Sequence, residues 1–186
     1  MRATPPQAQA RQRVVHVIQG DHAVSSDPEV ILTTILGSCV AACMSDPVAG
    51  VGGMNHFLLP GNADVGGESM KYGVNAMELL INGLLRQGAL RHRIEVKLFG
   101  GAHVVQNLSD IGEKNAAFAR EFLRAEGLQC VGESLGGGSA RRIRYWPVSG
   151  RASQMLLDST HAEVFKTERV REAPPVAPDA GELELF

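Results

Sequence analysis

The sequence predicts an α+β layered sandwich, and three observations predict it. Two segments carry apolar residues at helical spacing, and about eight short segments read as strands, led by the β-branched run Val14 to Ile18. The helices and strands also do not follow the regular βαβ alternation that builds a parallel sheet. A chain of 186 residues is of ordinary single-domain length. A domain near 150 residues buries roughly 68–70% of the surface its unfolded chain exposes, so a core forms without disulfides or metal. Residues 1–12 are polar and contain Pro5-Pro6, and residues 167–186 carry Pro174, Pro175 and Pro178 among charges. Both read as disordered arms flanking one domain over 13–166.

In chain order, Val14 to Ile18, Val30 to Leu36 and Cys39 to Met44 read as strands. Asp46-Pro47-Val48-Ala49-Gly50 reads as a turn, since Pro pre-sets φ and Gly is free to take a positive φ. Val51 to Leu58 returns as a strand, with a bulge expected at Gly52-Gly53. Ser69 to Gln87 is the strongest helix, with Val74, Met77, Ile81, Leu84 and Leu85 at helical spacing and Gly88 as its stop. Ile94 to Phe99 is a strand ending in Gly100-Gly101. A second helix runs from Ile111 to Glu126, with Asp110 as N-cap, Glu113 completing a capping box, and Phe118 and Phe122 on the buried face. Leu128 to Gly132, Arg142 to Tyr145 and Ala152 to Leu157 complete the strands.

Apolar residues make up 44% of the chain and charged residues 20%, with a formal net charge of −2. That balance gives no reason to expect nucleic acid or an anionic membrane surface as partner. The three cysteines, Cys39, Cys43 and Cys130, do not make a disulfide framework, and no Cys/His spacing suits zinc. There is no signal-peptide apolar stretch and no run of about 18 apolar residues, so a cytoplasmic protein without direct membrane insertion is expected. Gly136-Gly137-Gly138-Ser139 lacks the GxxxxGK[ST] pattern and reads as a turn, not a phosphate cradle. Arg141 and Arg142 read as a solvated strand end, the sharper alternative being a contact with acidic residues of a partner. His16, His22, His92 and His161 read as surface residues, with His103 a weak second site candidate after a glycine loop.

The chemistry concentrates in Thr33-Thr34-Ile35-Leu36-Gly37-Ser38-Cys39-Val40. A cysteine follows Gly-Ser at the mouth of a strand, where Gly37 permits a sharp turn and exposed backbone N–H groups can hold an oxyanion. A thiolate is a strong nucleophile but needs a base or a positive neighbour to form at neutral pH. A three-residue turn at 47–49 would pair His56 with Val40, next to Cys39. A one-residue bulge at Gly50 or Gly52-Gly53 would set His56 directly opposite Cys39. Thr33, on the preceding strand, could accept a bond from the imidazole. Each residue also has a blander reading, since an isolated cysteine or histidine among apolar neighbours is more often a core residue. Cys43 and Cys130 are read as core.

Leu36-Gly37-Ser38-Cys39-Val40-Ala41, then Asp46-Pro47 and Gly52-Gly53-Met54-Asn55-His56-Phe57-Leu58-Leu59-Pro60, resemble the chemoreceptor glutamine deamidase family, CheD. Further matches follow in order: Tyr72-Gly73 with Ala76-Met77-Glu78, Lys97 to Ala102, Ile111-Gly112 with Asn115, and Leu135-Gly136-Gly137 before Arg141-Arg142. The resemblance implies a three-layer α/β/β sandwich with mixed sheets, similar to the catalytic domain of glutamine-deamidating toxins. It implies a triad of Cys39 as nucleophile, His56 as base and Thr33 as the residue orienting the histidine. Gly37, Ser38 and Asn55 are expected to position the substrate or its oxyanion. It further implies deamidation of glutamines on the cytoplasmic coiled-coil domain of methyl-accepting chemotaxis proteins. No metal or organic cofactor is expected, and a CheC-type phosphatase is a second expected partner. Two other readings stay open: an acyl transferase of transglutaminase type using the same thiol, and a regulatory binding module with a residual triad. The end Gly181-Glu182-Leu183-Glu184-Leu185-Phe186 reads as tail, with a docking peptide the sharper alternative.

Overall fold

The computed structural model describes residues 12–59, 67–103 and 109–157. Among these, nine strands and two α-helices follow the order β1 (Arg13–His16), β2 (His22–Ser25), β3 (Val30–Leu36), β4 (Val40–Asp46), β5 (Val51–Asn55), α1 (Glu68–Arg86), β6 (Glu95–Gly100), α2 (Ser109–Ala125), β7 (Gln129–Leu135), β8 (Ala140–Trp146) and β9 (Arg151–Leu157). A single 3-10 turn, Arg91–Arg93, precedes β6.

The strands form two mixed sheets. One has the order β1-β3-β8-β9, the other β2-β5-β4-β6-β7. Only β1/β3 and β6/β7 run parallel. Both helices pack on the five-stranded sheet, so the layers are helices, five-stranded sheet and four-stranded sheet, the expected α/β/β arrangement. The strand β4 is the wall between two cores. Val40, Ala42 and Met44 face the helices with Met77, Leu80, Ile81 and Leu84 of α1 and Phe118 and Phe122 of α2. Ala41 and Cys43, with Cys39 just before them, face Leu32, Leu36, Ile143 and Tyr145 of the other sheet. A strand covered on both faces shows no polar alternation, which explains its uniformly apolar sequence.

Several details differ from expectation. The strand β2 was not foreseen; it is four residues long and half-exposed. Gly52 and Gly53 stay in regular register with β4. They are packing positions: a Cβ on Gly52 would lie 2.3 Å from the Pro147 carbonyl oxygen, and one on Gly53 would lie 2.6 Å from that of Ala23. The irregularity falls instead between Val96 and Lys97, where β6 meets β7. In α1 the buried face turns through Leu80, while Val74 is exposed. In α2 the helix already begins at Ser109, so Asp110 lies inside it and is not its N-cap. Cys130 is exposed, because β7 is an edge strand whose outer residues face solvent. Arg141 is buried, its guanidinium donating to the carbonyls of Ser134, Gly136 and Ser139 and to the Ser134 hydroxyl, and so tying down the β7–β8 turn. The expected arms at 1–12 and 167–186 lie outside the described residues apart from Gln12, as do residues 158–166 and His161.

Candidate active site

Turn length sets the geometry of the site. The β4–β5 loop holds four residues, Pro47 to Gly50, and Asp46 pairs with Val51. Asp46 closes the loop itself, its carboxylate accepting the N–H groups of Val48 and Ala49 at 3.0 Å. The register then continues unbroken from Cys43 opposite Met54 to an isolated bridge between Val40 and Phe57. His56 therefore falls across from Ala41, and no bulge brings it opposite Cys39. Because Cys39 and Ala41 share a face, His56 and Cys39 are diagonal neighbours on the side facing the four-stranded sheet. Such diagonal positions lie about 7–8 Å apart at the backbone, within reach of an imidazole.

The loop bearing the thiol is fixed from behind. The carbonyl of Gly37 accepts from Ala102 N at 2.8 Å and that of Cys39 from Gly101 N at 2.7 Å. The Ser38 carbonyl accepts from the Asn115 amide at 3.0 Å. Three consecutive peptide planes are thereby held with their oxygens turned into the protein. Gly100 is required here: its φ is 113°, and a Cβ on it would meet the Cys39 carbonyl oxygen at 2.1 Å. The Gly136-Gly137 turn joins the same scaffold through Gly136 N to Gly100 O and His103 N to Gly137 O. His103 itself is exposed.

His56 is buried. Its Nδ1 lies 2.9 Å from the Thr34 hydroxyl and 3.4 Å from the Val17 carbonyl. A carbonyl can only accept, so this pair favours a proton on Nδ1 and a lone pair on Nε2. Nε2 is buried and has no hydrogen-bond partner among the described residues. Burial lowers the imidazole pKa to about 4, against the raising effects of the Val17 carbonyl and the Asp21 charge. The ring is therefore neutral at pH 7. Burial also pushes the Cys43 thiol far up, which makes it inert beside Cys39.

The hydroxyl that meets the imidazole is Thr34's. Thr33, to which the resemblance gives that place, points to the other face of β3 and donates to the Ile143 carbonyl at 2.7 Å. Asn55 also lies elsewhere than expected. It shares the helix-facing side with Ala42, accepts from Ala42 N at 2.9 Å, and donates to the Ala76 carbonyl at 3.0 Å and to Met77 Sδ at 3.4 Å. It repairs the gap in the β4–β5 ladder and does not face the thiol. The structure adds three neighbours that sequence reasoning did not assign to the site. Asn115, fully buried, joins Leu59 N, Ser38 O and its own helix; a polar residue amid the apolar face of α2 was its signal. Gln19 brings its carboxamide oxygen to 3.6 Å from Cys39 Sγ. Tyr72, on α1, has its pKa raised by burial first and then by the charges of Cys39 and Asp21.

Comparison with known proteins bears on what a site with a cysteine and a buried neutral histidine on one face is for. The family described as CheD chemotactic sensory transduction matches residues 58–155. A relative from Rhizobium rhizogenes is 58% identical over 173 residues, covering 91% of this chain and 93% of its own. The chain belongs to the CheD family. Another relative of this CheD protein, from Agrobacterium fabrum, is 52% identical over 96% of the chain and 99% of its own length. One from a Caulobacter species is 56% identical over 92% of each. All three bear the name probable chemoreceptor glutamine deamidase CheD. The family match begins just after His56, so the placement of Cys39 and His56 rests on the geometry of this CheD chain itself. Among its described residues, no group of three or more His, Cys, Asp or Glu could hold a metal ion. No helix there is long and apolar enough to cross a membrane.

Proposed function

We propose that this CheD protein hydrolyses the side-chain amide of particular glutamines on chemoreceptors, in the cytoplasm, producing glutamates that can then be methylated. One observation carries the mechanism. Cys39 and His56 share a face of adjacent strands, with Nδ1 held by Thr34 and Nε2 buried without a hydrogen-bond partner among the described residues. The names of its relatives support the substrate.

In this reading Nε2 of His56 takes the proton of Cys39, and the sulfur attacks the carboxamide carbon of a receptor glutamine. Because the imidazole is a weak base in its buried resting state, proton transfer runs uphill and is drawn forward as the negative charge passes to the carboxamide oxygen. Backbone N–H groups of the Ser38-Cys39 segment hold that oxyanion, a role their pinned peptide planes suit. Such a donor is typically worth about 2.7–4 kcal/mol of barrier. His56 returns its proton to the leaving ammonia. Water, deprotonated by the same nitrogen, then cleaves the thioester to glutamate and frees the thiol. The net reaction consumes one water and releases one ammonia per glutamine.

Incubation with a receptor cytoplasmic domain, followed by peptide mapping by mass spectrometry, tests the proposal. Glutamine-to-glutamate conversion is expected with the native protein and none with Cys39→Ala; an active Cys39→Ala variant would remove the thiol from the mechanism. His56→Ala is expected to cost about 10²–10⁴ in rate. Amine incorporation in place of hydrolysis would assign the acyl-transferase reading instead. Capture of a CheC-type phosphatase by the Cys39→Ala variant would add the second partner that the family resemblance implies.

A further inference from the structure

Gln19 belongs to a segment built onto the catalytic histidine. Between β1 and β2 the chain turns at Ile18, whose carbonyl accepts from Asp21 N at 3.0 Å. On one side Val17 N donates to Thr33 O at 2.9 Å. On the other, Gly20 N donates to the His56 carbonyl at 2.8 Å and His56 N to the Asp21 carbonyl at 3.0 Å. The backbone carrying Gln19 is thus tied to both β3 and His56. From this fixed base the side chain of Gln19 reaches Cys39, whose thiol points at the carboxamide oxygen at 3.6 Å. Cys39 is only 2% exposed. The Tyr72 hydroxyl lies 3.6 Å from where a Cβ on Gly20, the residue after Gln19, would sit.

The group beside the thiol is chemically the group the enzyme acts on. A receptor glutamine must bring a carboxamide to Cys39 Sγ, and the protein's own glutamine carboxamide already stands there. We infer that Gln19 is an internal substrate mimic: its carboxamide fills the subsite of the reactive glutamine in the resting enzyme and is displaced by the receptor's side chain. This rests on the deamidase reading above and names what selects its substrate. The incoming group must replace an acceptor for the thiol proton and must be long enough to reach a buried sulfur. A glutamine meets both demands. An asparagine is one methylene shorter, and a carboxylate would set a negative charge against the forming thiolate.

The contact has two consequences. While Gln19 accepts the thiol's hydrogen, that proton is turned away from the imidazole, so the nucleophile rests as a thiol. Removing the carboxamide should therefore make Cys39 easier to reach. The test compares native protein, Gln19→Ala and the similarly long but acceptor-free Gln19→Met, all as the full chain, under iodoacetamide, a small electrophile that itself bears a carboxamide. Alkylation is followed on the Cys39 peptide alone, since exposed Cys130 also reacts. Gln19→Ala is expected to speed Cys39 alkylation roughly threefold to tenfold, the scale of losing one hydrogen bond, and to lower KM for a receptor cytoplasmic domain. Gln19→Met is expected to fall between the two. An unchanged or slower alkylation in Gln19→Ala, with its melting temperature kept, overturns the proposal. So does a fall in kcat at constant KM, which would make Gln19 a donor to the reacting atoms. Alkylation needs no receptor. If the native protein leaves receptor glutamines unchanged, the deamidase reading fails, while the alkylation rates still decide whether Gln19 covers the thiol.

Discussion

Two adjacent threonines on β3 have different duties because a strand turns successive side chains to opposite faces. Thr34 looks into the space between the sheets and holds His56 Nδ1, while Thr33 donates to a carbonyl of β8. Replacing Thr34 with valine keeps shape and removes only the hydroxyl. It is expected to lower kcat roughly twofold to tenfold, the worth of one neutral hydrogen bond. Thr33→Val is expected to lower the melting temperature and leave kcat nearly unchanged. Steady-state kinetics and thermal melts of both variants check this, and the opposite ranking would return Thr33 to the site. The distinction was not legible in the sequence. Both faces of β3 are buried, its pattern from Val30 to Leu36 having only Ile35 partly open, so no polar alternation marks which threonine faces the histidine. The nearness of Cys39 and His56 was legible because the Gly-Ser-Cys motif and the turn residues lie close together in the chain. Gln19 was not, since a glutamine in a polar connection carries no signal until the fold sets it against the thiol.

The turns and helix faces decide whether these residues meet. A three-residue turn would have put His56 across from Val40. The observed four-residue loop makes it diagonal to Cys39, and one residue of register moves every side chain to the other face. The element boundaries near the site were largely legible, and Val30–Leu36 matches in full. The loop length was not, because Gly50 reads equally well as the last turn residue or the first of a strand. The helix α2 contributes through Asn115, whose two functional atoms serve different neighbours. Asn115→Asp keeps an acceptor for Leu59 N and loses the donor to Ser38 O. It is therefore expected to reduce kcat more than its effect on folding would suggest. Asn115→Ala strips both and should cost about 1–3 kcal/mol for each buried group left unpaired. Denaturant titration beside kinetics separates the two effects; equal losses in both variants would reduce Asn115 to a packing role. Phe118 serves packing alone. It meets Phe57 edge-on at 5.7 Å and fills the space left by Gly73. Phe118→Ala is expected to cost about 3–5 kcal/mol of stability.

For the molecule as a whole, acid acts in two stages. An unfolded histidine titrates near 6.5, whereas His56 in the fold holds out to about 4 because burial disfavours its charged form. Between those values the unfolded chain binds the extra proton, so stability falls as pH drops from 6.5 to 4, by about 3 kcal/mol in total. Asp46 adds the second stage. Burial tends to raise its pKa, but Arg93 and the N–H groups of Leu90, Ala49 and Val48 outweigh it and lower it to about 2. Its contribution is present above pH 3.8 and is lost as pH falls from there towards 2. Urea titrations across this range should show both stages in the native protein and only the second in His56→Asn. Parallel curves for the two proteins would contradict the buried neutral imidazole.

The parts of the site also lie far apart in the order of synthesis. Gln19, Thr34, Cys39 and His56 all precede α1, but the groups that pin the Cys39 loop are Gly101, Ala102 and Asn115, and the β8 strand that pairs with β3 ends at Trp146. A ribosome that has delivered Cys39 and His56 has not yet delivered the residues that hold them in place. Long-range pairings of this kind form late and slowly. In the proposed mechanism the growing chain therefore carries Cys39 without the scaffold that holds its loop, and only the finished domain completes the site.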